Sequence, residues 1–162
     1  MQDNELIPNL IGIAKVHRLI KEARLPERAD PDSVGYDLYA AEAAHVRYEQ
    51  VTLIRTGLII QPPPGYFISI RGRSGLGKKL VTIPQSVGTI DPSFAGPGDE
   101  ILVMLTLIAE TAPLHIKLGD RIAQIVFEKV NSVAFVESLF PPLNKTRGGF
   151  GSSGTNEIKK AS

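Results

Sequence analysis

Apolar residues recur at every second position in short runs along the chain, and glycine or proline closes most of the runs. In Tyr66-Phe67-Ile68-Ser69-Ile70-Arg71, the residues Tyr66, Ile68 and Ile70 share one face. From Ala44 to Glu49, the residues Ala44, Val46 and Tyr48 alternate with His45, Arg47 and Glu49. Comparable runs lie at Ala14–Ile20, Val51–Ile60, Ile101–Ala109, Ile122–Val130 and Ala134–Ser138. Bounded by turn residues, such runs predict strands. No long stretch carries an i, i+3, i+4, i+7 stripe, and the one helical feature predicted is a single turn after Ser74. No repeat of fixed period is evident. Many short strands with few helices predict an all-β sandwich or barrel.

The pattern stops at Pro141. Beyond it the chain is rich in glycine, proline and hydroxyl residues, and Phe150 is its one aromatic. Such a segment cannot bury a core of its own. The predicted organisation is therefore an all-β domain over 1–140 and a flexible tail over 141–162. A lone aromatic among glycines and hydroxyls, with Lys145 and Arg147 upstream, also suits a flap that closes on an anionic, ring-bearing ligand.

Composition narrows the chemistry. A chain of 162 residues with 43% hydrophobic and 22% charged residues is an ordinary single globular domain. Lys+Arg number 18 and Asp+Glu 17, so no basic field for nucleic acid is expected. Cysteine is absent, which excludes disulfides, thiolate catalysis, Fe–S clusters and the zinc deaminases, whose metal needs Cys ligands. His17, His45 and His115 are too scattered in sequence to form a local metal motif. The longest apolar run, Ile101–Ala109, is far short of the ~20 residues a membrane helix needs. Two acids in the first five residues and no basic leader predict an untargeted, cytoplasmic protein. Asn144-Lys145-Thr146 matches a glycosylation sequon but has no secretion signal to make it meaningful.

Two glycine-rich motifs mislead if read alone. Gly72-Arg73-Ser74-Gly75-Leu76-Gly77-Lys78-Lys79 nearly matches the P-loop, but Lys79 stands where Ser or Thr should hold magnesium. Gly149-Phe150-Gly151-Ser152-Ser153-Gly154 matches G-x-G-x-x-G, yet only eight residues follow and no βαβ unit fits. Both still have the chemistry of phosphate cradles: glycine backbone, hydroxyls and cations.

Five segments taken together are more specific. They are Gly35-Tyr36-Asp37-Leu38-Tyr39-Ala40-Ala41, Gly72-Arg73-Ser74-Gly75-Leu76, Gly88-Thr89-Ile90-Asp91-Pro92-Ser93-Phe94-Ala95-Gly96, Gly119-Asp120-Arg121-Ile122-Ala123-Gln124, and Arg147-Gly148-Gly149-Phe150-Gly151-Ser152-Ser153-Gly154. In this order and spacing the chain resembles the trimeric deoxyuridine triphosphatases (dUTPases). The resemblance implies a jelly-roll-like β-barrel subunit, a homotrimer with active sites shared between subunits, and a tail that folds over a site. It implies Mg²⁺-assisted hydrolysis of dUTP to dUMP and pyrophosphate, by water attack on the α-phosphorus.

The resemblance also assigns roles. Asp91 would be the general base, although an isolated Ile-Asp-Pro reads as a simple Asx-turn. Arg73, Ser74 and Gly75 would meet the triphosphate; a guanidinium fork suits phosphate oxygens and glycine allows close approach. Gln124 would also touch the phosphate chain, or else bond a neighbouring strand. Asp37 would act on the metal through water, in keeping with the few protein ligands Mg²⁺ takes. For Asp37 and Asp120 the competing reading is structural, a turn bond or an ion pair with Arg121, and for Asp120 that reading is preferred. Gly88, Thr89 and Ile90 would form the uracil pocket, with Phe94 stacked on the deoxyribose. In the tail, Phe150, Ser152 and Ser153 would cover the substrate, and Arg147 or Lys145 would meet the γ-phosphate.

The match has departures. Phe94 replaces the usual tyrosine, keeping the ring and losing the hydroxyl. Pro97-Gly98-Asp99 is a small insertion. Strict register puts Lys145 in the place of the tail arginine, whereas Arg147 offers the two-pronged contact. Ile90-Asp91-Pro92 with Phe94 and Gly96 is also similar to dCTP deaminases of the same fold. Those use a glutamate on the next strand, where Met104 falls here. A non-catalytic trimeric nucleotide-binding module is the remaining alternative.

Overall fold

A computed structural model describes residues 10–139. In chain order it contains β1 (Lys15–Arg18), β2 (Tyr36–Tyr39), β3 (Ala44–Val46), β4 (Thr52–Arg55), β5 (Leu58–Gln61) and β6 (Tyr66–Arg71). A one-turn helix, α1 (Ser74–Gly77), follows, and then β7 (Val81–Thr82), β8 (Val87–Ile90), β9 (Leu102–Leu107), β10 (Leu114–Ile116) and β11 (Arg121–Lys129). The ladders are antiparallel and fall into four small sheets: β1-β5, β10-β3, β2-β11-β6-β8 and β4-β9-β7. The all-β class predicted from the alternation is what the chain adopts, though the ladders do not close into one continuous barrel.

One apolar core joins these sheets. Leu38, Val46, Ile54, Leu58, Ile60, Ile68, Ile101, Val103, Leu105, Ile122 and Ile125 are essentially inaccessible to water. The period of two explains most of this. In β9, for instance, Val103, Leu105 and Leu107 point inward while Leu102, Met104 and Thr106 do not. β6 departs from strict alternation because it lies inside the four-stranded sheet. Ser69 is therefore buried too, and its hydroxyl accepts from Arg71 Nε at 3.1 Å.

The run Val51–Ile60, predicted as one strand, is two. β4 pairs with β9 and β5 with β1, so the chain changes sheets at Thr56-Gly57. The crossing is locked by polar groups. Thr56 is buried and donates to the Ile101 carbonyl at 2.7 Å. Glu100 accepts from Gly57 N–H at 2.7 Å and from Arg55 Nε at 3.0 Å. Gly57 has φ 68°, the left-handed region that glycine enters without steric cost.

The first motif, read in the sequence as a candidate site, is also a strand, β2. In contrast, Ala134–Ser138 is not a strand: no β-ladder among the described residues includes it, and alternation alone does not make one. The compact unit ends at Asn131. The residues from Ser132 form a second unit, in which Val133, Phe135, Val136 and Leu139 expose 72%, 95%, 87% and 92% of their surface. Among the described residues no helix is long and apolar enough to cross a membrane.

Candidate active site

The four-stranded sheet positions the first half of the site. Its register pairs Asp37 on β2 with Gln124 on β11, and Gln124 with Arg71 on β6, so the three lie in one row across the sheet. Beyond Arg71 the chain stays extended through Arg73 (φ −100°, ψ 137°) and then turns into α1. That path brings Arg73 back over Asp37. Arg73 Nε donates to Asp37 Oδ1 at 2.8 Å, and an Arg121 terminal nitrogen to Oδ2 at 3.2 Å. Asp37 is only 7% exposed, and its charge is balanced by these two guanidinium groups. A guanidinium held through Nε still has both terminal amino groups to offer to an anion.

A cleft of about 240 Å³ opens at this point, lined by Asp37, Arg73, Ser74, Gln124, Gly35, Val34, Ser33 and Ala29. Ser74 stands at the head of α1. The Leu76 and Gly77 amides bond back to the Arg73 carbonyl, as a helical turn requires, and the Ser74 and Gly75 amides precede them. A Cβ added at Gly75 would meet nothing within 4 Å, so packing within the chain does not demand glycine there. Gln124 donates from Nε2 to the Gly72 carbonyl at 3.0 Å. It thereby braces the loop that carries Arg73, the neighbour-bonding role weighed in the sequence. Gly35 is required by that brace, because a Cβ there would collide with Gln124 Oε1.

The second group of candidate residues lies elsewhere on the chain. β8 runs antiparallel to β6 with Val87 opposite Arg71 and Ile90 opposite Ile68. Asp91 thus leaves the ladder at the level of Phe67. Four residues of β6 separate that level from the row of Asp37, Gln124 and Arg71, about 13 Å at the usual strand rise. Asp91 is exposed and begins a turn in which its carbonyl accepts from Phe94 N–H at 3.0 Å. Phe94 is half-exposed, and Thr89 faces outward. Gly88 is buried against Ile70, whose Cβ would lie 3.2 Å from an added one, so its smallness serves the ladder. The inserted Pro97-Gly98-Asp99 closes on itself, with Asp99 Oδ2 accepting from Gly96 N–H at 2.7 Å.

Asp120 is structural, as preferred from the sequence: its carboxylate accepts from Lys117 N–H at 2.8 Å and its carbonyl from Ala40 N–H. Lys145, Arg147, Phe150, Ser152 and Ser153 lie outside the described residues. The sequence reading passed over the loop before β2, which supplies Ala29, Ser33 and Val34 to the cleft. Asp30 organises that loop by accepting from Ser33 Oγ at 2.7 Å and Asp32 N–H at 2.9 Å. The Ser33 hydroxyl holds the Asp30 carboxyl below its ordinary range. The Asp-x-x-Ser spacing was the available signal. On the far side of the row, the Ser69 hydroxyl and Arg71 guanidinium hold the Glu128 carboxyl low.

No group of three or more His, Asp or Glu side chains among the described residues could hold a metal ion. Asp37 is engaged on both oxygens by arginine.

The described residues define an all-β protein with a cleft lined by Asp37, Arg73, Ser74 and Gln124. The dUTPase family model matches residues 21–154, and the chain belongs to the dUTPase family. It is 36% identical over 143 residues to the deoxyuridine 5'-triphosphate nucleotidohydrolase of Solibacter usitatus, covering 86% of this chain and 95% of that one. Identity is also 36% to the Corynebacterium diphtheriae enzyme of the same name, over 96% of this chain and 100% of the relative. A dUTPase variant from Staphylococcus bacteriophage 80alpha, solved with dUpNHpp, superposes with a TM-score of 0.77 at 24% identity, covering 88% of this chain and 99% of that one. A dUTPase from phage phi11 of S. aureus, described with a coordinated structural Mg(II) ion, gives 0.69 at 21% identity, over 80% and 98%.

Proposed function

We propose that the chain hydrolyses dUTP to dUMP and pyrophosphate, acting as a dUTP diphosphatase. The observation that carries this reading is the family match over residues 21–154, which spans all five motifs. Water would attack the α-phosphorus as the bond to the bridging oxygen of the β-phosphate breaks, and pyrophosphate would leave. Asp91 would take the proton of that water; an exposed carboxylate on a turn can come within hydrogen-bond reach of it. Arg73, braced by Asp37, and Ser74 with the Gly75 amide would bind phosphate oxygens. Gln124 would hold the Gly72 carbonyl and so fix that loop. Gly88, Thr89 and Ile90 would frame the uracil, Phe94 the deoxyribose, and the tail residues Phe150, Ser152, Ser153 and Arg147 would cover the whole. Mg²⁺, when bound, would neutralise phosphate charge and orient the chain of phosphates.

We infer a homotrimer with shared sites, as the resemblance implies. Asp91 and Arg73 stand at different ends of the four-stranded sheet's β6 register, and contributions from two subunits would bring their counterparts to one substrate. The exposed Val133, Phe135, Val136 and Leu139 support such an assembly, since apolar surface of this kind marks an interface. The deaminase alternative is weakened by β9, which carries Met104 and no acid. Pyrophosphate release measured with dUTP, dCTP and dTTP tests the reading. Release from dUTP alone is expected; ammonia from dCTP, or no turnover of any of the three, would overturn it.

A further inference from the structure

His45 and His115 form a pair that the proposed chemistry does not use. They stand directly opposite one another across the β3–β10 ladder, 70 positions apart in sequence. Their rings stack with centroids 4.6 Å apart and planes inclined by 13°. Period two turns both outward, while their neighbours Val46 and Ile116 are buried in the core and fix the two strands. The backbone under the pair is therefore held, and the imidazoles are accessible. Neutral imidazole is the commonest protein ligand for late first-row divalent metals. A tetrahedral ion bound at about 2.0–2.1 Å per nitrogen needs two ring nitrogens about 3.3 Å apart. Rings stacked with nearly parallel planes do not aim their nitrogens at one point, so a shared ion requires each exposed imidazole to turn about its side-chain torsions until both lone pairs converge on it.

We propose that His45 and His115 form a two-histidine site for a late first-row divalent cation, Zn²⁺ or Ni²⁺, with water completing the coordination. It is distinct in place and in ligand softness from the oxygen-rich environment Mg²⁺ prefers. Binding would clamp β3 to β10, two segments joined in the chain only by a long connection, and so raise thermal stability.

The test is titration of the full chain, in its native assembly, with ZnCl₂ under saturating Mg²⁺ and without nucleotide. Calorimetry and thermal melting are the readouts. One Zn²⁺ per chain is expected, with a rise in melting temperature. His45→Asn and His115→Asn should each weaken binding by about 10–100-fold or more, at least the loss typical of an outer-shell ligand partner. His17→Asn, on β1, should leave affinity unchanged, and all three variants should retain Mg²⁺-dependent dUTP turnover. Zn²⁺ binding that survives either single substitution at 45 or 115 would overturn the site. So would the absence of binding or of a stability shift below millimolar Zn²⁺.

Discussion

Asp91 and Asp37 are both acids in family motifs, yet their surroundings give them different chemistry. Asp91 is exposed at a turn, with no ion pair among the described residues. Asp37 is nearly buried between Arg73 and Arg121. Asp91→Asn keeps size and hydrogen bonding but removes the proton acceptor. Turnover should fall by at least about 10²–10⁴-fold while dUTP still binds, a separation that single-turnover and binding measurements resolve. Near-normal turnover would remove Asp91 from the role. Asp37→Asn should act differently, releasing Arg73 from its set position. KM for dUTP should rise about tenfold or more, the scale of one charge-assisted contact at 1.5–3 kcal/mol. Excess Mg²⁺ should not restore it. Full rescue by Mg²⁺ would instead favour the metal-linked role expected from the resemblance.

At the level of elements, two glycines separate folding from function. Gly57 sits at φ 68°, and an added Cβ would lie 2.8 Å from both Ala23 Cβ and Ile20 Cγ1. Gly57→Ala should cost about 1–3 kcal/mol from the backbone alone, read as a lower urea midpoint. Gly75 has open space around it, so Gly75→Ala should leave that midpoint unchanged. It should nevertheless slow dUTP turnover, because the new methyl would stand where phosphate approaches the backbone of α1. Equal stability with equal activity would mean that Gly75 does not face the substrate.

At the scale of the whole molecule, the proposed shared site requires Asp91 of one subunit to meet Arg73 of another. Asp91→Asn and Arg73→Ala should each give inactive homotrimers. Unfolded together and refolded in equal amounts, they should recover about a quarter of the wild-type rate, since random assembly pairs an intact Asp91 with an intact Arg73 at that frequency. No recovery, with light scattering showing mixed trimers, would place both residues in one subunit's site. The tail belongs to the same scale. Ending the chain after Leu143 should preserve assembly and fold but greatly reduce turnover, because the tail's proposed closure over the substrate would no longer exclude water. Arg147→Ala should cost more than Lys145→Ala, since arginine can meet a phosphate on two prongs. The reverse order would assign the γ-phosphate to Lys145.

Much of this protein was legible in the chain itself. Alternation at Tyr66–Arg71 and Ile101–Ala109 marks strands because the pleat sends every second side chain to one face. The single helical turn after Ser74 was legible as well, and α1 spans Ser74–Gly77. Other features needed the third dimension. Val51–Ile60 divides between two sheets at Gly57, and local pattern carries no record of which strand each half will pair with. Gln124 braces Gly72 only because the β2-β11-β6 register sets it beside that loop. The same register places Asp37 under two arginines distant in sequence, and the β6–β8 ladder carries Asp91 away from Arg73. Residue types and spacing name the chemistry a chain can perform; strand pairing, a long-range choice, decides which of those groups share a site.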